Sequence, residues 1–181
     1  MERYRFSSEV AIYFVTFSVV DWLPVFVSEW ACRVITESLN YCHDRKGLRI
    51  NAYVIMPTHF HGILFSNDLQ AQSLKSTLHE FRKFTGRTLL DDCAARMPRC
   101  YDEAFHRAGG FDRDRRFWQA SLHPVQIETE EFWRQKFDYL HDNPCRKGLV
   151  TRPDYWRFSS ASYWLLDRPV QNDVILNALD W

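Results

Sequence analysis

Residues 48–65 read LRINAYVIMPTHFHGILF. Two apolar runs rich in β-branched and aromatic residues, Leu48–Met56 and 59–65, flank a Pro57-Thr58 break. A connection that short joins two antiparallel strands as a hairpin. Upstream, VAIYFVTFSVV at 10–20 predicts another buried strand. Between it and the hairpin, Ser28 is an N-cap, and Ala31, Val34, Ile35, Leu39 and Cys42 keep helical spacing over 29–43 until Gly47 stops the helix. Downstream, Leu74, Leu78, Phe81 and Thr85 line one side of a helix over 69–87. Residues 91–110 read as irregular, and a strand interrupted by Pro124 falls around 118–127. A last helix over 128–142 opens on acidic residues, as its dipole favours, and Asn143-Pro144 is expected to end it. The order strand, helix, strand, strand, helix, strand, helix predicts an α+β, ferredoxin-like (RRM-like) fold. Helices pack on an antiparallel sheet, and an extra C-terminal helix carries Tyr139. Residues 1–150 form one domain, and the aromatic tail 151–181 packs on it.

The chain has 181 residues, 46% hydrophobic and 25% charged, which excludes extended disorder and suits a single globular domain. Aromatics reach 16%, enough for a dense core and for platforms on which bases stack. The formal net charge is zero, so the total demands no polyanion. The charge is nevertheless uneven: residues 75–118 carry ten basic and seven acidic groups. Five cysteines without a Cys-x-x-Cys pair argue against a disulfide framework or a zinc ribbon. Reduced thiols, no apolar leader and no span-length apolar run predict a cytoplasmic protein away from the membrane.

Three groups of residues carry chemistry. Strand alternation puts His59 and His61 on one face, roughly 6.5–7 Å apart, with Phe60 turned into the core. By spacing alone the pair is either a divalent-metal site or two solvent-facing histidines. Ile63 stands where a histidine-triad hydrolase needs its next alternating histidine. On the last helix, Trp133, Phe137 and Leu140 form the buried stripe, while Tyr139 and Asn143 share a flank one turn apart. A phenol is a nucleophile for phosphodiesters and an amide offers a hard oxygen; the alternative is a boundary tyrosine and a helix-ending asparagine. The third group is Arg82, Lys83, Arg87, Arg113, Arg115, Arg116 and Trp118, suited to phosphate contacts and base stacking as a DNA-binding strip.

Taken together, YVIMPTHFHGIL (53–64), KFDYLHDNPCRKGLV (136–150) and WRFSSASYW (156–164) resemble the single-tyrosine HUH transposase superfamily, and within it the REP-associated tyrosine transposases. The resemblance runs from about Tyr13 to Trp164. It implies a ferredoxin-like endonuclease and strand transferase that nicks single-stranded DNA near a hairpin, REP-like or at an insertion-sequence end. It implies that His59 and His61 ligate the metal, and that Tyr139 attacks the scissile phosphate to leave a 5′-phosphotyrosine and a free 3′-hydroxyl. Asn143 stands where the insertion-sequence branch carries a glutamine ligand, one methylene longer. The cofactor implied is Mg²⁺ or Mn²⁺, with imidazole ligation favouring Mn²⁺. His141, Asp142 and a metal-bound water are open as the base, and the assembly is a monomer or a homodimer. The alternatives are a non-catalytic binder of hairpin or single-stranded DNA with the same fold, and a metal-dependent nucleotide hydrolase.

Overall fold

A computed structural model describes residues 12–111, 113–122, 124–166 and 171–179. Four strands, β1 (Ile12–Ser18), β2 (Leu48–Met56), β3 (His59–Ser66) and β4 (Val125–Gln126), form one antiparallel sheet in the order β2-β3-β1-β4. The helices are α1 (Glu29–Lys46), α2 (Ala71–Arg96), α3 (Arg99–Arg107), α4 (Glu130–Arg146) and the short α5 (Ala161–Trp164). This is the ferredoxin-like arrangement, with β1 and β3 central. No helix among the described residues is long and apolar enough to cross a membrane.

Local chemistry sets the helix ends. The Ser28 hydroxyl accepts from the Ala31 N–H to start α1, and Gly47 ends it in the left-handed region at φ 68°. A side chain at Gly47 would also collide with Asn67. At α4 the Thr129 hydroxyl accepts from Phe132 N–H, and Glu130 and Glu131 occupy the first turn.

The sheet is buried on both faces. On one, Tyr13, Val15, Phe17, Tyr53, Ile55, Phe60 and Leu64 pack against Ile35 and Leu39 of α1 and Leu74, Leu78 and Phe81 of α2. On the other, Phe14, Ala52, Val54, Met56 and Ile63 pack against Phe137 and Leu140 of α4. A β-bulge at Asn51 lets β2 serve both layers: Ile50 pairs with Leu64, yet Ala52 pairs with Ile63, so the alternation inverts there. The bulged residue is also a junction. Its side-chain oxygen accepts from Trp133 Nε1 at 2.8 Å, its amide nitrogen donates to the Asn177 carbonyl at 3.0 Å, and its own carbonyl accepts from Trp164 Nε1 at 2.8 Å. The C-terminal segment covers the outer edge of β2 through Val54–Ser159, Ser160–Tyr53 and Asn177–Ile50 pairings. An edge strand's free backbone groups are thereby satisfied.

Four expectations change. α2 runs on to Arg96 because Leu89 and Cys93 continue its buried stripe, and α3 occupies part of the stretch expected to be irregular. The strand expected around 118–127 shrinks to Val125–Gln126 plus an isolated Val19–Trp118 bridge, since Pro124 has no N–H to continue a ladder. α4 continues through Asn143-Pro144 to Arg146. A proline there removes only the bond to the Leu140 carbonyl, and burial of Phe137, Leu140, Asn143 and Pro144 outweighs that loss.

Candidate active site between the central strands and the last helix

β3 presents His59 and His61 to the α4 face, 8% and 6% exposed, with ring centroids 4.6 Å apart. Each ring is oriented by a threonine. A hydrogen bond joins His61 Nδ1 to Thr16 Oγ1 at 2.8 Å, made possible because Thr16 is the cross-strand partner of His61 on β1. Another joins His59 Nδ1 to the adjacent Thr58 Oγ1 at 2.9 Å. With Nδ1 committed in both rings, Nε2 is the nitrogen left over, and an Nδ1–H held by an oxygen is the arrangement that would support a metal-binding imidazole. Phe14 stacks on His61 at 5.1 Å.

Burial lowers the pKa of both imidazoles. His59 is held down to about 4 by desolvation and then by Lys147. His61 is held down to about 3 by desolvation, then by His59 and Lys136. Both are therefore neutral at pH 7, the form with a lone pair for a metal.

α4 lays Tyr139 over this pair. Its ring lies 5.8 Å from that of His61 and 6.0 Å from that of Phe14, and the residue is 39% exposed. Asn143, one turn on, is buried at 5% exposure. No group of three or more His, Cys, Asp or Glu able to hold a metal occurs among the described residues. A metal held by the two histidines would therefore need a further ligand of another type, and the amide oxygen of Asn143 is of a kind that suits a hard divalent ion. His141 faces elsewhere: its ring packs on Phe137 at 4.3 Å and its Nε2 bonds Ser160 Oγ at 2.8 Å, which removes it from the candidate bases.

Three cations that the sequence pattern did not single out lie about the site. Arg146 stacks over the Tyr139 ring at 5.0 Å, Lys136 lies 5.5 Å from the Phe14 ring centre, and Lys147 acts electrostatically on His59. No ion pair among the described residues engages any of them. Their signal is present in the spacing: Lys136, Tyr139, Asn143 and Arg146 follow one another at i+3 and i+4, one face of a helix.

The predicted basic strip lies elsewhere and divides. It belongs to α2 and the loop after α3, and α2 packs on the sheet face opposite the histidines. Arg82 lies over Phe17 at 5.4 Å and donates to the Gln119 carbonyl; desolvation, then Arg116 and Arg113, lower its pKa to about 10. Arg115 is paired with Asp91 at 2.9 Å and Asp102 at 3.4 Å, and Arg116 donates to the carbonyls of Ala108 and Gly109. Lys83 and Arg87 face solvent, and Arg113 is exposed but engaged. Trp118 is corrected outright as a stacking residue. It is 5% exposed, lies against Gly86 and Phe26, and donates its Nε1–H to Thr85 Oγ1 at 3.1 Å. The absence of a side chain at Gly86 lets the indole settle on α2.

A solved structure of a REP-associated tyrosine transposase bound to a REP hairpin superposes with a TM-score of 0.65 at 18% identity, over 100% of this chain and 95% of that one. This chain shares that protein's fold. A structure from Deinococcus radiodurans R1, described as a candidate transposase, is similar at 15% identity and a TM-score of 0.49, over 78% of this chain and 97% of that one. No protein-family model and no curated protein sequence matches the chain.

Proposed function

We propose that this chain is a single-tyrosine HUH transposase of the REP-associated kind: a cytoplasmic, metal-dependent endonuclease and strand transferase for single-stranded DNA beside a hairpin. The observation that carries the reading is the placement of the Tyr139 phenol over His61, on the face where two neutral imidazoles present Nε2. A pure binding protein has no use for that juxtaposition. The hairpin-bound structure of the same fold supports a hairpin partner.

His59, His61 and Asn143 would hold a divalent ion, Mg²⁺ or Mn²⁺, which polarises a non-bridging phosphate oxygen when bound. Tyr139 Oη attacks the scissile phosphorus, a P–Oη bond forms and the P–O3′ bond breaks. The products are a 5′-phosphotyrosine and a strand ending in a free 3′-hydroxyl, which takes up a proton as the phenol loses one. The ester bond is conserved, so a 3′-hydroxyl can attack the adduct in the reverse sense and join strands. Lys136, Arg146 and Lys147 meet the phosphate charge where it accumulates. Lys83 and Arg87 contact phosphates of the paired stem away from the reacting centre. The contact of the Tyr139 ring with His61 of the same chain supports a site built within one copy.

The test is incubation with labelled hairpin DNA bearing single-stranded flanks and Mn²⁺, followed by a denaturing gel. The parent should give a covalent protein–DNA adduct, and Tyr139→Phe should give none while binding the hairpin. Binding without an adduct in the parent would establish the non-catalytic reading instead.

A further inference from the structure

We infer that Trp22 is a stacking platform for an unpaired base of the strand whose phosphate lies at the histidine pair, an inference that rests on the proposed function and extends it. Trp22 is 55% exposed in the connection between β1 and α1, and its indole meets the His59 ring edge-on at 5.7 Å. Its backbone is unusual. Asp21 and Trp22 are consecutive non-glycine residues in the left-handed region, at φ 51° and 54°. Bulky side chains avoid that region unless the surroundings impose it. Here they do. Val19 N–H donates to the Thr58 carbonyl at 3.0 Å, Val20 N–H to Phe117 at 2.9 Å, Trp22 N–H to Val19 at 3.1 Å and Phe26 N–H to Pro57 at 3.0 Å.

Core packing gives no account of the strain. Val20, Val25 and Phe26 from the same connection are buried, whereas the indole is held outside the core beside the site. A rigid aromatic face loses little freedom when a base settles on it, and every base has a face to offer. A phosphate at His59 and His61 brings its flanking bases within reach of Trp22, while Lys147 brings positive charge to the same histidine. The exposed Tyr41 and Phe84 are misplaced for this, because they line a groove between α1 and α2 on the opposite face.

The test is equilibrium binding, by fluorescence anisotropy, of a short labelled oligo(dT) and of the same phosphodiester backbone made of abasic residues. Trp22→Ala should weaken oligo(dT) binding about 5- to 150-fold. Trp22→Phe should keep most of the affinity, and Trp22→Leu, which keeps apolar bulk for folding, should lose it as the alanine does. The abasic strand should bind parent and variants alike. Equal oligo(dT) affinity in parent and Trp22→Leu would overturn the inference, as would an equal loss on the abasic strand. A parent that forms the covalent adduct while its Trp22 variants bind oligo(dT) unchanged loses this inference and keeps the nuclease reading. A parent that binds no single strand loses both.

Discussion

Lowering the pH from 7 to 5 should destabilise the fold through three buried histidines. His59, His61 and His141 have pKa values lowered from 6.5 to about 4, 3 and 3, chiefly by burial. In the unfolded chain each takes up a proton as the pH falls through about 6.5, while in the folded chain each stays neutral until about 4 or below. The unfolded state therefore binds more protons in this window, and stability falls with falling pH. Between pH 7 and 5 each histidine contributes a loss of about 2 kcal/mol, and the three together about 5–6 kcal/mol. Against the roughly 5–15 kcal/mol of an ordinary domain, that is a large fraction. Urea denaturation at a series of pH values measures it. His141→Gln should remove about a third of the slope, because that ring lies apart from the His59–His61 pair. A divalent ion should bind at pH 5 nearly as well as at pH 7, read as a thermal shift, since no proton has to leave the folded site. A flat stability profile from pH 7 to 5, or one that rises on acidification, would refute the reasoning.

Replacing Lys136, Arg146 or Lys147 by glutamine should lower the salt dependence of single-strand binding by about 0.7 for each phosphate no longer neutralised, measured as the slope of log K against log salt. Arg115→Gln, already engaged by Asp91 and Asp102, should leave that slope unchanged. Asn51→Ala removes two side-chain hydrogen bonds at the bulge, to Trp133 and Asn177, and should cost about 2–4 kcal/mol by urea midpoint. On the proposed reading, in which each copy uses its own tyrosine, mixing Tyr139→Phe with His61→Ala protein should give no adduct; an adduct in the mixture would show exchange of α4 between copies.

Much of this architecture is legible in the sequence, and the exceptions have physical causes. The hairpin around Pro57-Thr58 follows from two strand runs with almost nothing between them, and alternation then places His59 and His61 on one face. The capped start of α1 and its glycine end are written in Ser28 and Gly47. The sequence expectation ends α2 too early, at residue 87, although Leu89 and Cys93 extend its period. The bulge at Asn51 is not legible, because a single polar residue within a strand reads as a side chain on the solvent face as readily as an extra residue that shifts the register. Trp118 looks available in the sequence because tryptophan serves cores and platforms equally, and only the gap at Gly86 decides between them. The basic strip misleads because it sums charge along the chain. The site gathers its cations by helical period instead, and Lys136, Arg146 and Lys147 lie within a segment of net negative charge.

The same packing bears on whether the tyrosine serves its own histidines. β4 ends at Gln126 and α4 begins at Glu130, so the connection is three residues, with a reach of about 10 Å. It is not slack: Ile127 is buried, its N–H donates to the Ile12 carbonyl at 2.9 Å, and Thr129 caps the helix. For α4 to dock on a second copy this connection would have to open. The helix would also have to leave Asn51, whose oxygen holds Trp133. Beyond α4, Ser160 and Asn177 return the chain to the edge of β2 of the same copy, so an exchanged helix would be tethered from both ends. Exchange thus demands breaking buried apolar packing and edge hydrogen bonds that a copy keeps by using its own helix. The arrangement favours a self-contained site, with Tyr139 positioned over His61 by the same bulge and tail that close the sheet.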